Sequence, residues 1–440
     1  MSIAQVHLAR RGRKAASYRR ARSFPRERMA PPAMEDADDR RGGVPGARSG
    51  RRGGLLVVYP AYYAFLGVVT PYFPLWLQVR GLDVASIARV TALVMIATTL
   101  GQLLLPSTAV RVGLRHLAIA VAGAALVFTS ALAGVHSGPA ILAIAGISGL
   151  FCGALLPIAD ALVLAGQGGG WGGMRAWGSL GFAVATLTAG WAIELWGTWT
   201  VVAAEALALA LVLLGIVSTR SHAAILSSAV ERVSGGEIAA LLRRADLWLL
   251  VIAVATINAG HAYYYTFANL HWAVAYRFGA ATSGLLWAVG VVAEIAVLAL
   301  SSRIFGKADR DRRAVQLLLV GAAAGVLRWS VTALDPPLAV LLLLQTLHGL
   351  TFGATLLGGM EALRAMVPPR LLAPALGLFA AMVHGVVIGS VTFLLGGRFG
   401  PQGQAGFVLM ALVAAAGFAV TLVFAVAGQR LRIGRDRLST

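Results

Sequence analysis

Charge is scarce in this chain. Charged residues make up 12% of its 440 residues, where a soluble globular chain carries about 25%. So few cannot cover a water-facing surface. With 58% hydrophobic residues and a mean hydropathy of +0.78, the composition belongs to a chain solvated by lipid. Cysteine is nearly absent. The single Cys152 excludes a disulfide framework and any cysteine-based metal site, and its apolar neighbours make it packing. No Gly-x-x-x-x-Gly-Lys-Ser/Thr loop occurs, so the chain has no phosphate cradle with which to hydrolyse ATP. No His-rich cluster or Ser-His-Asp spacing points to an enzyme, and nothing calls for a cofactor or a metal. No apolar run precedes Leu55, so no secretory signal peptide is expected.

The net charge of +19 does not point to nucleic acid, because of where it lies. Fourteen of the 37 basic residues fall in positions 1–54. That stretch is rich in Arg, Gly and Ser and lacks apolar periodicity, so it is predicted to be a solvated, disordered cytoplasmic tail. Met29 and Met34 are alternative initiators within it.

From Leu55 the chain is a string of apolar blocks, each near the roughly 20 residues that span a bilayer. Twelve are predicted: 55–78, 87–110, 117–134, 140–165, 174–194, 198–217, 246–275, 283–302, 314–334, 338–365, 373–396 and 405–428. The seventh and tenth are long enough to tilt or kink. A polar stretch over 218–245 divides them into bundles at 55–217 and 246–428, and 429–440 forms a second tail. With both termini inside, eighteen basic residues lie in the inner connections, at the block ends beside them (Arg175 and Arg364) and in the C-terminal tail. The outer connections hold three: Arg80, Arg277 and Arg398. This asymmetry predicts cytoplasmic termini and a multi-pass protein of the inner (plasma) membrane. Gly-x-x-x-Gly pairs at Gly149/Gly153, Gly321/Gly325, Gly349/Gly353 and Gly385/Gly389 are read as close helix contacts.

Several stretches carry a resemblance. "YPAYYAFLGVVTPYFPLWLQVRGLDVASIA", "PIADALVLAGQGGGWGGMRAWGSLGFAVA", "HAYYYTFANLHW", "LLWAVGVVAEI", "VLRWSVTAL" and "QTLHGLTFG" resemble the 3-phenylpropionate permease-like branch of the major facilitator transporters. That branch is related to lactose and nucleoside proton symporters. The resemblance implies an all-α fold of twelve membrane helices in two pseudo-symmetric six-helix bundles. It implies proton-coupled uptake of a small organic solute, such as an aromatic carboxylic acid, by a functional monomer in the bilayer. A nucleoside or sugar symporter, a drug or metabolite efflux antiporter, and a receptor on the same fold are the alternatives. The usual facilitator loop between helices two and three is reduced to Arg111, Gly113 and Arg115 in "LPSTAVRVGLRH", without its acidic partner. The Gly-Pro signature of antiporters is missing from helix five, which favours uptake.

Ionisable residues deep in apolar blocks mark function, since each costs about 2.5–3.5 kcal/mol to bury there. At 1.5 Å of rise per residue, Glu294 lies roughly 17 Å, Arg328 roughly 21 Å and His348 roughly 15 Å into their helices. The resembled symporters also place an acid in helix eight and an Arg in helix nine. Glu294 and Arg328 are therefore expected to pair and, with His348, to couple protons. Tyr62, Tyr63, Asn258, His261, Tyr264 and His384 are candidates for the substrate cavity. Tyr72 and Trp76 are expected in an interfacial aromatic belt. Asp160 and Arg175, joined by "GQGGGWGG", are expected to gate the cytoplasmic ends of helices four and five. Arg111, Arg115 and Glu361 are placed at the same mouth.

Overall fold

A computed structural model describes residues 46–165, 171–219, 234–305, 310–396 and 403–439. The packed unit runs from Arg48 to Thr440. Among the described residues, twelve helices are long and apolar enough to span a membrane, those expected from hydropathy: α1 (Leu56–Val79), α2 (Val84–Val112), α3 (Leu114–Gly134), α4 (Gly138–Leu162), α5 (Trp177–Trp196), α6 (Trp199–Ser218), α7 (Ala245–Ala275), α8 (Ala280–Ser301), α9 (Arg312–Thr332), α10 (Leu338–Met366), α11 (Pro374–Gly396) and α12 (Gln404–Ala427). The helix containing α1 already begins at Gly46, and the one containing α12 continues to Ser439. Both therefore run past the boundaries expected for the tails. Most of the predicted N-terminal tail, and 220–233 of the central connection, lie outside the described residues. The rest of that connection holds a short helix, Gly235–Leu242, closed by a capping box in which Ser234 and Glu237 satisfy each other's backbone. Ser234 holds the Glu237 carboxyl below its ordinary range.

An even number of crossings puts both chain ends on one face, called here the termini face. Within the halves the packing repeats. α2 lies on α4 as α8 lies on α10, and α3 lies on α4 and α6 as α9 lies on α10 and α12. The halves meet where α5 packs on α8 and α2 on α11, which is again a symmetry-related pair.

Small residues and freed carbonyls build these seams. Pro71 has no N–H, so the Gly67 carbonyl one turn earlier loses its helical donor. Thr186 of α5 donates to that carbonyl at 2.7 Å, the kind of repair that lets proline persist in a membrane helix. In return Tyr72 donates to the Thr186 carbonyl at 2.8 Å and reaches the Ala280 carbonyl at 3.1 Å. Tyr72 and Trp76 are 0% and 1% exposed. Tyr72 is a core residue of the interface between the halves, Trp76 is packed inside the first half against Phe73 and Arg80, and the expected aromatic belt includes neither. Asn269 Nδ2 bonds the Pro71 carbonyl at 2.7 Å, and Glu194 accepts from the Ala281 N–H at 2.9 Å. These three ties between the halves sit toward the far face.

Gly190 lies at the same seam. A Cβ there would fall 2.6 Å from both the Ala280 carbonyl and the Tyr72 hydroxyl. Gly190→Leu therefore wedges α5 from α8. Overpacking by about 1–3 kcal/mol shifts a two-state equilibrium about 5- to 150-fold. The expected outcome is faster thiol labelling of an Ala281→Cys reporter from the far face in the leucine variant. Unchanged labelling would show that this contact does not hold the far face shut.

Candidate functional site

The long α7 and α10 are both broken near their middles. α7 divides at Gly260–His261 into Ala245–Ala259 and Ala262–Ala275. α10 divides into Leu338–Thr346, a π-helical stretch Gly349–Ala354, and Thr355–Met366. A second π stretch, Ala381–Val387, interrupts α11. Interrupted helices free backbone groups and re-aim side chains, and often mark functional sites. His261, His348, Thr351 and His384 all lie in or beside these breaks.

Arg328 of α9 is 0% exposed and stands at the centre. Its Nη2 donates to Gln345 Oε1 at 2.6 Å. Its Nη1 reaches His348 Nδ1 at 3.1 Å and Thr351 Oγ1 at 3.2 Å. The guanidinium lies 4.7 Å from the Tyr264 ring centroid and 4.3 Å from that of Trp329, so two aromatic faces share its charge. Tyr264 in turn stacks on Trp287 at 4.4 Å and donates to Gln345 Oε1 at 3.0 Å. Among the described residues, no carboxylate lies within 4.0 Å of Arg328.

Glu294 is therefore not the direct partner expected for Arg328, because the imidazole of His348 stands between them. His348 Nε2 is 3.9 Å from Glu294 Oε2, beyond hydrogen-bond length but within ion-pair distance. The donors fix the tautomers. Arginine can only donate, so His348 Nδ1 accepts and its Nε2 carries the proton, facing Glu294. On the other side, His261 Nδ1 faces the Asn258 carbonyl at 3.2 Å and must donate to it. His261 Nε2 then accepts from the Thr351 hydroxyl at 3.0 Å. One polar chain thus runs from Asn258 through His261, Thr351, Arg328 and His348 to Glu294. Gly353 lets α8 approach α10 here: a Cβ on it would sit 3.2 Å from Glu294 Cγ.

The other expected site residues fall elsewhere. His384 reaches the cluster through Phe352, at 5.9 Å between rings, and Phe352 stacks on His348 at 5.4 Å. Asn258 spends its amide on the Val254 carbonyl one turn back and contributes only its backbone carbonyl. Tyr62 packs at 6.0 Å on Tyr63 in the first half, and the described contacts do not bring either ring to Arg328. Asp160 accepts a hydrogen bond from Tyr59; the Arg175 side chain lies outside the described residues. Arg111 is exposed. Arg115 caps the end of α6 by donating to the Val217 carbonyl at 3.0 Å, with Gly113 at φ +82° making the intervening turn. Glu361 takes a two-pronged bond from Arg313, at 2.7 and 2.5 Å, which ties α9 to α10 within one half. Glu361→Gln is expected to cost about 1–3 kcal/mol of stability, read as a lower melting temperature in detergent. Loss of transport without loss of stability would instead make it a gate.

Gln345, Thr351, Trp287 and Trp329 escaped the sequence reading. Gln345 and Thr351 lie three residues before and after His348, on its helix face, and that spacing was the available signal. Glu205 of α6 was also missed. It is 1% exposed, and its Oε1 has no hydrogen-bond partner among the described residues. As the one ionisable residue in its apolar block it carried the same mark as Glu294.

Twelve apolar spans in two pseudo-symmetric halves, with polar side chains gathered at interrupted helices, define a membrane transporter of the major facilitator kind. The chain belongs to the MFS_1 like family, whose model matches residues 54–406. It is similar to a probable 3-phenylpropionic acid transporter of Escherichia coli (strain K12), with 29% identity over 82% of this chain and 94% of that one. It is also similar to a maltose permease of Geobacillus stearothermophilus, with 27% identity over 58% of this chain and 64% of that one. Among solved structures, a mutant of the nucleoside transporter NupG superposes with a TM-score of 0.73. That match has 16% identity and covers 84% of this chain and 98% of NupG, so it speaks to the fold.

Proposed function

We propose that this chain is a proton-coupled symporter that takes up an aromatic monocarboxylate by alternating access. The observation that carries this reading is Arg328: a buried cation met, among the described residues, only by neutral acceptors and aromatic faces. Burying a charge without a counter-charge is expensive, and the carboxylate of a substrate supplies one. Half-buried Tyr265 and Phe352, backed by the buried rings of Tyr264, Trp287 and Trp329, form the aromatic edge for the ring of the same molecule. A neutral nucleoside or sugar leaves Arg328 uncompensated, which favours an acid over those alternatives. The name of the Escherichia coli relative agrees with it. Glu294 and His348 are the proton-carrying pair. Half-buried Glu294, Tyr265, Phe352 and His384 form the edge from which a ligand enters.

The membrane is the inner membrane and both termini are cytoplasmic, as the eighteen-to-three distribution of basic residues favours. The functional unit is a monomer. Reporter fusions after Ile216 and after Gln429 should both read as cytoplasmic, and a far-side signal from either removes that orientation. The function is tested with purified protein in liposomes, acid outside. Labelled 3-phenylpropionate should enter at a protein-dependent initial rate, above protein-free vesicles, that rises with the pH gradient. Uptake of uridine or maltose with no aromatic acid carried would overturn the reading.

A further inference from the structure

Two donors in the binding site converge on a single oxygen. Arg328 Nη2, at 2.6 Å, and the Tyr264 hydroxyl, at 3.0 Å, both point at Gln345 Oε1. Gln345 is 1% exposed. A charged donor and a phenolic donor aimed at one point form a carboxylate-oxygen site, because a carboxylate oxygen has the lone pairs and the full charge to satisfy both. An amide oxygen fills the same position with partial charge alone.

We propose that Gln345 is an internal stand-in for the substrate carboxylate. Its side-chain oxygen occupies the carboxylate subsite in the empty protein and leaves when substrate binds. This rests on the aromatic-carboxylate reading and adds a competition step to it. The position of Gln345 gives the exchange a mechanical consequence. It lies in Leu338–Thr346, the segment of α10 that ends just before His348 and the π-helical Gly349–Ala354. While its amide is bound, it ties that segment to α9 through Arg328 and to α7 through Tyr264. Once a ligand oxygen takes both donors, the amide loses its two bonds and the Leu338–Thr346 segment loses these ties to α9 and α7, while His348 and Thr351 still hold the π-helical region to Arg328 and His261. The π stretch, with its wider hydrogen-bond spacing, lets α10 shift register there. His348 follows directly in the chain, so the same movement changes its 3.9 Å separation from Glu294. Displacement of Gln345 is thus the link between the substrate subsite and the proton-carrying pair.

The experiment compares Gln345→Glu and Gln345→Leu with wild type in detergent. It reads melting temperature with and without saturating 3-phenylpropionate, and affinity by calorimetry. Gln345→Glu places a tethered carboxylate on the same donors. Its empty form should melt above empty wild type, and 3-phenylpropionate should produce no further shift. Gln345→Leu removes the competitor. It should melt below wild type when empty, show a larger ligand-induced shift, and bind up to about tenfold more tightly, as expected when the competent state no longer shares its population. Wild-type affinity in the glutamate variant overturns the proposal, as does loss of binding in a leucine variant that remains monodisperse on gel filtration. If wild type itself ignores 3-phenylpropionate, the substrate reading fails separately. The empty-state comparison still decides the stand-in role: a stabilised glutamate variant supports it, and an unchanged or destabilised one overturns it.

Discussion

Arg328→Gln is expected to weaken binding of 3-phenylpropionate on the order of 10²-fold or more, because a buried charged hydrogen bond to the ligand is removed. The argument starts from burial. The guanidinium is fully enclosed, lies over the rings of both Tyr264 and Trp329, and holds three side-chain acceptors. Replacing it with glutamine leaves Thr351, His348 and Gln345 short of a donor, so a melting-temperature decrease worth about 1–3 kcal/mol should accompany the loss. Stability alone does not identify a ligand-binding role. The discriminating readout compares the acid with its neutral amide, 3-phenylpropanamide. Wild type should prefer the acid strongly, and Arg328→Gln should bind both weakly and nearly equally. Arg328→Lys retains the charge without the planar fork and should fall between the two. If Arg328→Gln keeps the preference for the acid, the carboxylate is bound elsewhere and Arg328 is a packing residue.

The sequence made the spans legible because hydropathy over some twenty residues is a one-dimensional property. Each predicted block lies within a few residues of a span. The positions of Glu294, Arg328 and His348 along their helices were legible for the same reason. Rotation about each helix axis was not. The expected Glu294–Arg328 pair assumed that two residues at similar depth on neighbouring helices face each other, and that assumption left out α10, which places His348 between them. Tyr72 and Trp76 were misjudged in the same way. Their depth near the outer end of α1 suited an aromatic belt, but Tyr72 is packed on α5 and α8, and Trp76 faces α3 and α6 within the first half, so both rings are inside. Gln345 carried no charge to flag it. Its role comes from two donors on two other helices, a coincidence that one helix read alone does not contain.

Glu294→Gln is expected to separate binding from accumulation. His348 Nδ1 is occupied by Arg328, so its remaining proton sits on Nε2 and faces Glu294. The two atoms are 3.9 Å apart, and a closure of about 1 Å makes a hydrogen bond. A proton arriving at this pair neutralises a carboxylate that would otherwise be carried through the membrane interior as a charge. Glutamine mimics that neutral state permanently. The variant should keep its affinity for 3-phenylpropionate and its counterflow exchange at equal pH, since Arg328 and the aromatic faces are untouched. It should lose the stimulation of protein-dependent initial rate by an imposed pH gradient, which for one proton per substrate amounts to a driving force of roughly tenfold per pH unit. His348→Gln, by contrast, removes both the relay and an acceptor of Arg328, so it should impair coupling and weaken binding together. A Glu294→Gln protein that responds to the gradient as wild type does would remove Glu294 from the coupling machinery. Reduced yield of folded protein, with normal gradient-driven uptake by what remains, would assign it to helix packing.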